Sequence, residues 1–370
     1  MSKLTGLSIG QELLILASRL TFKDEEKKKI IEYSLDAKLN WFEFFKMALY
    51  HKTATLCWNN IVMFAPTVVI PTYLYYFIRY GKREIKLQNE MFVSEFENVL
   101  QALNSNNITA IPVKGCRFVK TLYECDGTRF MGDFDLLIRK SDSAKISSIM
   151  DSMGYKQGKI DFEKNEILPL GRAEEIKWKM SVSNLAPYYK MTGDECNPFF
   201  KFDFRHSLDD NLETESIEKI IDYYENNGVV LPAHLLIHLC THFYGEAKRT
   251  VSIFLSKDFN IIKLTDIREF VLHNMDENEW NIAIDFAKEY ALEKHVYFTL
   301  YYLSLIFDDG YEEPIMEKLN IENKDFLGSY GDSTLNDNFS SNRTVIDSIF
   351  SCSNYQEVSE VPSFLKIDEI

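Results

Sequence analysis

A run of apolar residues, Leu136 to Ile138, follows two aspartates that are separated by a single residue, in the sequence GDFDLLIRK. Successive side chains of a strand point to opposite faces, so Asp133 and Asp135 would share one face and Phe134 would take the other. Two carboxylates this close raise each other's pKa unless a cation neutralises both. The stretch therefore predicts a strand that enters a core and begins with carboxylates in need of a positive partner.

A hard divalent cation, Mg²⁺ or Mn²⁺, prefers carboxylate oxygens together with substrate phosphates, which makes the pair a candidate metal–phosphate site. A simpler explanation is that many strands end with aspartate at an exposed lip. The preceding segment favours the metal site, because ITAIPVKG (108–115) predicts a strand and a turn at Lys114-Gly115 before a helix. Such a turn offers backbone N–H groups to an anion, and glycine permits close approach.

Two cations near the aspartates are candidate phosphate ligands. Lys114 supplies a point charge, and Arg129 supplies a guanidinium fork that suits phosphate. The alternative is that both side chains are solvated, or that they pair with Asp133 and Asp135 themselves.

A two-metal site needs a third carboxylate on an adjacent strand that faces the same way. Asp203 in FFKFDFRHSL is the expected third ligand or general base, since alternation places it with Lys201 and Arg205 and leaves the phenylalanines to pack against helices. Asp203 could instead merely pair with those cations. Its rivals lie in less regular or turn-like contexts: Asp161, Asp194 and Glu195.

The net charge of −15 over 370 residues argues against a long nucleic acid as partner, though it allows a local basic pocket. Six cysteines without a CxxC pair, and an N-terminus without a signal-peptide pattern, predict a cytoplasmic protein. The stretch from Thr53 to Phe77 lacks charge and is long enough for a bilayer, but Pro66 and Pro71 interrupt it. We expect two buried helices joined at a proline-marked turn, and no membrane partner.

Residues 111–155 resemble the uncharacterised nucleotidyltransferase family of the DNA-polymerase-β-like superfamily. The resemblance rests on order, spacing and residue type in one segment: Lys114-Gly115, Leu122-Tyr123, Arg129, Gly132-Asp133-Phe134-Asp135-Leu136-Leu137 and Gly154-Tyr155. Two features depart from the usual patterns. Lys-Gly replaces the superfamily's Gly-Ser after the first strand, and the family's Asp-Leu-His is Asp203-Phe204-Arg205 followed by His206.

The resemblance implies an α+β fold, with a small mixed polymerase-β-like sheet flanked by mainly helical N- and C-terminal regions. We expect four parts: a helical region (1–105), the nucleotidyltransferase core (106–212), a helical domain (213–328) and an extended tail (329–370). Within the core, residues 156–210 read as strand-rich, including the alternating segment EEIKWKMSV (174–182).

The implied activity is transfer of NMP from an NTP, with ATP the expected donor and Mg²⁺ or Mn²⁺ the cofactor, to a hydroxyl or phosphate of a small-molecule, sugar or peptide acceptor. The implied ligands of the metal are Asp133, Asp135 and Asp203, and those of the nucleotide are Lys114, Gly115, Arg129 and Gly132. The alternative is a catalytically silent helical binding or scaffold protein that keeps the same sheet.

A second motif, a series of histidines in a predicted helix, is a candidate zinc site. His234, His238 and His242 recur every four residues with Glu246, as zinc-binding helices can, but no glutamate follows the first histidine in the HExxH manner. Three ligands on one straight helix rarely converge on one ion. The ladder therefore predicts a helix seam with hydrogen-bonded histidines, and a zinc site is the alternative.

Overall fold

A computed structural model describes residues 2–161, 163–181, 183–209, 212–254, 257–331, 339–340 and 344–350. The chain forms two compact units. The helical unit comprises the described residues up to Lys86, the segment Asp126–Phe130 and the described residues from Cys240 onward. The sheet unit comprises Leu87–Cys125 and Met131–Leu239. Compactness alone does not show independent folding, so the four expected domains stay a prediction.

Helices dominate both ends of the chain. The N-terminal helices are α1 (Ile9–Ala17), α2 (Asp24–Ser34), α3 (Trp41–Tyr50), α4 (Ala54–Phe64) and α5 (Thr72–Ser105). The C-terminal helices are α9 (Glu215–Asn227), α10 (Pro232–Lys248), α11 (Thr250–Phe254), α12 (Ile261–Asn274), α13 (Glu277–Glu289), α14 (Glu293–Ile306), α15 (Glu312–Leu319) and α16 (Val345–Phe350). Two short strands, β7 (Ser329–Tyr330) and β8 (Phe339–Ser340), pair antiparallel.

The middle of the chain builds the main sheet. Its strands are β1 (Ala110–Pro112), β2 (Phe134–Ile138), β3 (Lys156–Asp161), β4 (Glu166–Pro169), β5 (Tyr188–Met191) and β6 (Phe199–Arg205). Three helices lie between them: α6 (Cys116–Thr121), α7 (Ser143–Ser152) and α8 (Arg172–Ser181). The strand order is β1-β2-β6-β5-β3-β4, with β2 and β6 parallel and the other pairs antiparallel. The expected α+β fold with a small mixed sheet flanked by helices is confirmed.

One face of this sheet is an aromatic core. Phe134, Phe200, Phe202 and Phe204 are buried there with apolar side chains from the C-terminal part of α5, from α6 and from α7. The rings of Phe134 and Phe202 contact each other with centroids 4.3 Å apart and planes tilted by 35°. Because alternate residues of β2 and β6 enter this core, the intervening residues are forced to the opposite face, which positions the polar site.

Residues 174–181 do not form the strand that their alternation predicts but most of α8, and residue 182 lies outside the described residues. Glu and Lys, which recur in this stretch, are strong helix formers, and Glu174 and Glu175 occupy the first turn, where acids favour the helix dipole. Ile176 is 48% exposed, so the apolar alternation does not serve a buried sheet face. Local propensity therefore decides this element.

The uncharged stretch from Thr53 to Phe77 forms α4, a turn that contains Pro66 and Pro71, and the start of α5. The first turns of α5 are more exposed than expected, with Tyr73 at 77% and Phe77 at 51%. None of the helices in the described part of the chain combines the length and the apolar character that a bilayer crossing requires. Of the expected tail, residues 332–338, 341–343 and 351–370 lie outside the described residues.

Candidate metal centre

Three carboxylates converge on the polar face of the sheet. Asp133, Asp135 and Asp203 each present an oxygen, and these three oxygens lie within 4.8 Å of one another. Among the described residues, this is the one group of three or more His, Cys, Asp or Glu side chains that converges in this way. Oxygen atoms at such separations can share one or two hard cations.

The convergence follows from strand register. Asp135 on β2 is directly paired with Asp203 on β6, and the two strands are parallel, so both side chains leave the same face at the same level. Asp133 precedes β2 by one residue and, by alternation, lies on that face too. Asp203 thus occupies the adjacent-strand position that the sequence predicted, while its role as a ligand stays a prediction.

Burial makes this arrangement electrostatically unfavourable without a cation. Asp135 and Asp203 are only 8% and 9% exposed. Burial raises the pKa of Asp135 to about 7; Lys114 opposes the shift, and the carboxylates of Asp133 and Asp203 add to it. A divalent cation would relieve this repulsion, so the donor set and its electrostatics fit a metal such as Mg²⁺ or Mn²⁺.

Two lysines lie against the three acids. Lys114 Nζ is 3.1 Å from Asp135 Oδ2. Lys201 Nζ is 2.9 Å from Asp203 Oδ2 and 4.0 Å from Asp133 Oδ2. Burial alone would lower the pKa of Lys201, but Asp203 and Asp133 outweigh it and hold that pKa well above its ordinary value. Both lysines are therefore ion-pair partners of the acids. This agrees with the alternatives that Lys114 pairs with the aspartates and that Asp203 pairs with a neighbouring cation.

A tight turn brings Lys114 to this face. Gly115 has φ +52° and ψ −104°, close to the first central residue of a type II′ turn, a conformation that strongly favours glycine. A Cβ at this position would lie 3.1 Å from the carbonyl oxygen of Asp133. The predicted turn is present, although α6 behind it has only six residues. Gly132 is exposed in the irregular segment just before β2.

Arg129 belongs to the helical unit, where its guanidinium is held by an acid. Its Nη2 is 2.7 Å and its Nε 3.1 Å from Asp266 Oδ2, and Nη1 donates to the carbonyl oxygen of Phe130. Asp266 is 4% exposed. This bidentate pair, which joins residues 137 positions apart, is a structural contact that the sequence did not predict. The proposed contact of Arg129 with phosphate stays a prediction.

The rival carboxylates serve turns. Asp161 Oδ1 accepts from the backbone N–H groups of Glu163 and Lys164, each at 3.0 Å. Asp194 Oδ1 accepts in the same manner from Cys196 and Asn197 at 2.9 and 2.8 Å. Glu195 is exposed. None of the three belongs to the convergent group of the described residues.

The histidine ladder lies on α10. His234 and His238 are buried, and burial lowers the pKa of His238 well below its ordinary value, with Arg205 and Lys114 adding to the shift. Further along the helix, His242 Nδ1 is 3.2 Å from Glu246 Oε2, and Lys263 binds the same carboxylate. Among the described residues, the ladder is not one of the groups whose ligand atoms converge. The helix-seam interpretation stays a prediction.

Comparison with known families adds one finding. The model of the uncharacterised nucleotidyltransferase family matches residues 37–308, which is about three quarters of the chain and includes β1, β2 and β6. No curated protein and no solved structure matches the chain. On the extent of the family match, the chain belongs to the uncharacterised nucleotidyltransferase family.

Proposed function

We propose that the chain is a divalent-metal-dependent nucleotidyltransferase that transfers NMP from an NTP, with ATP the expected donor. The acceptor would be a hydroxyl or phosphate of a small molecule, a sugar or a peptide. The observation that carries the proposal is the set of three converging aspartates on paired parallel strands, in a chain of a nucleotidyltransferase family. A net charge of −15 supports an acceptor other than a long nucleic acid.

Each residue has a proposed role. Asp133, Asp135 and Asp203 would hold the cation, which when bound supplies electrostatic stabilisation to phosphoryl oxygens. Asp203 is the third ligand or the general base that takes the proton of the acceptor hydroxyl. The nucleotide-binding residues are proposed to be Lys114, Gly115, Arg129 and Gly132. The ammonium of Lys114 next to Asp135 supports this for Lys114, and the turn at Gly115 allows a phosphate to approach the backbone.

The test separates nucleotide binding from transfer. Mg²⁺ together with an NTP should raise the melting temperature by mass action, whereas the NTP without metal should not, because triphosphate and carboxylates repel each other. Pyrophosphate release from each of the four NTPs, with water as acceptor, would measure turnover without knowledge of the natural acceptor.

We expect Asp203→Asn to lower this turnover by on the order of a hundredfold while the NTP-induced thermal shift largely survives. Asp161→Asn is the matched control, since asparagine can still accept the two backbone hydrogen bonds that Asp161 accepts. Equal thermal shifts with and without metal, or no pyrophosphate release by the unmodified protein, would favour the catalytically silent scaffold instead. Full turnover in Asp203→Asn would overturn the role of Asp203.

A further inference from the structure

The acids of the metal centre are already neutralised in part by this chain's own cations. Three carboxylates, those of Asp133, Asp135 and Asp203, face two ammonium groups, those of Lys114 and Lys201. The five groups together carry one net negative charge if all are ionised. The acids thus have ammonium partners within this chain, and a metal that binds the same oxygens must compete with them.

Lys201 is the lysine whose position conflicts most directly with a metal. It precedes Asp203 by two residues on β6, so both side chains leave the same face of the strand. Its ammonium lies 2.9 Å from Asp203 and 4.0 Å from Asp133, and therefore bridges two of the three proposed ligands.

A metal ion and the Lys201 ammonium cannot both bind the same carboxylate oxygen without weakening each other's interaction. Mg²⁺ binds carboxylate oxygen at about 2.1 Å, which would place it within a few ångströms of an ammonium that stays where Lys201 is. Two cations at that separation repel each other strongly. The lysine can yield, because its side chain is 28% exposed and has four rotatable bonds.

Charge arithmetic indicates where the displaced ammonium goes. With a divalent ion bound and both lysines retained nearby, the centre has a net charge of about +1, which attracts a triphosphate. Without the lysines the loaded centre would stay at about −1, and a triphosphate would be repelled. A lysine that leaves the acids but remains tethered beside them supplies the charge that the incoming phosphates require.

We propose that Lys201 exchanges partners during the reaction cycle: its ammonium neutralises Asp203 and Asp133 before metal binding, and contacts the triphosphate of the donor afterwards. This inference rests on the proposed function. Lys201 thereby competes with the metal and also binds the substrate. Removal of its charge should therefore strengthen metal binding and weaken triphosphate binding.

The first measurement is a titration of Mn²⁺ binding without nucleotide, in which electron paramagnetic resonance detects the free Mn²⁺. Lys201→Met should bind Mn²⁺ about tenfold more tightly than the unmodified protein, because the competing ammonium is gone. The second measurement is binding of inorganic tripolyphosphate at saturating Mn²⁺, a probe without base or sugar. Here Lys201→Met should bind at least tenfold more weakly.

Two further variants isolate the position and the charge. Lys190→Met removes a lysine of the same sheet that pairs with Glu95 at 2.8 Å, and it should change neither affinity. Lys201→Arg keeps the charge and should retain most of the tripolyphosphate affinity. Lys201→Gln replaces Lys201→Met if the methionine variant melts at a markedly lower temperature.

Shifts of the same sign in both measurements, or affinities of Lys201→Met equal to those of the unmodified protein, would overturn the exchange and leave the proposed function intact. If Lys190→Met reproduces the effects, they are general electrostatics and the exchange is also wrong. Absence of Mn²⁺ binding to the unmodified protein at millimolar concentration would overturn the proposed function and the exchange together.

Discussion

In the candidate metal centre, burial and its acidic neighbours raise the pKa of the Asp135 carboxyl to about 7 from 3.8. A raised pKa means that the folded state holds this proton more tightly than the unfolded chain. Between pH 4 and 7 the folded protein therefore binds more protons, and its stability falls as the pH rises through this window. Above pH 7 the ionised Asp135 lowers the free energy of unfolding by its full amount.

Asp135→Asn should therefore stabilise the metal-free protein at high pH. Each pKa unit corresponds to about 1.4 kcal/mol, so the gain is on the order of 4 kcal/mol at pH 8 and about 1 kcal/mol at pH 4.5, less what the loss of the Lys114 pair costs. Urea unfolding with a chelator present at both pH values measures it. A variant that is less stable than the parent at pH 8 would show that the carboxylate is structural.

Replacing Arg129 should destabilise the protein, in contrast to the stabilisation expected for Asp135→Asn. Arg129→Met would leave the buried carboxylate of Asp266 without this guanidinium, which typically costs about 3–5 kcal/mol. Adding Asp266→Asn should recover part of the loss. Lys46→Met breaks the exposed pair with Glu43 and should change stability little. If Arg129→Met keeps its stability and instead loses tripolyphosphate affinity, the guanidinium serves phosphate and the ion pair is incidental.

At the scale of single elements, the turn between β1 and α6 has a strict geometric requirement. Gly115→Ala would force a Cβ to 3.1 Å from Asp133's carbonyl oxygen, in a backbone conformation that alanine avoids. We expect a loss of about 1–3 kcal/mol and weaker Mn²⁺ binding, because the peptide of a proposed ligand must shift. Gly154→Ala is the control: Gly154 has φ +85° and nothing within 4 Å, so only stability should fall. Unchanged Mn²⁺ affinity in Gly115→Ala would contradict this view.

Strand β6 and helix α8 show which elements the sequence could predict. In β6 the phenylalanines alternate with charged residues, and the core lies on one side, so the pattern and the burial agree. In α8 the same alternation appears, but Ile176 finds no buried face and the helix formers prevail. Alternation of apolar and charged residues thus predicted a strand correctly where one face packs on a core. It failed where the segment is largely exposed.

The candidate site could be predicted in its acids and, as alternatives, in part of its cations. Alternation placed Asp133 and Asp135 together, and a matching pattern around Asp203 placed it on a neighbouring strand. The pairing of Lys114 with an aspartate of the site was an alternative that the sequence left open. The partner of Arg129 depended on which distant carboxylate it would meet, and local pattern does not contain that. Lys201 was already on the same face as Asp203 by spacing, and only the distances show that it also reaches toward Asp133.

For the whole molecule, buried histidines set the response to acid. Burial lowers the pKa of His51 to about 3 and is the main cause that lowers those of His206 and His234 to about 4, from 6.5. The unfolded chain then binds more protons below pH 6.5, so stability is full above that value and is lost as the pH falls toward 4. Asp135 acts in the opposite direction in this window and offsets part of the loss.

We expect the free energy of unfolding to be several kcal/mol lower at pH 4.5 than at pH 7, measured by urea titration. His234→Gln should reduce that difference by on the order of 2 kcal/mol. His273→Gln is the control, because that side chain is 55% exposed. A parent protein equally stable at both pH values would contradict the assignment.

The parallel pairing of β2 with β6 also has a kinetic consequence. The register partners Asp135 and Asp203 are separated by the whole of α7, β3, β4, α8 and β5, so their strands can pair only after a long loop has closed. During synthesis the first two acids emerge from the ribosome well before the third. The nascent chain therefore passes through a stage in which Asp133 and Asp135 are present without Asp203. On the proposed function, full cation affinity appears only when β6 pairs with β2. A rise in Mn²⁺ affinity during refolding would consequently time the closure of the sheet.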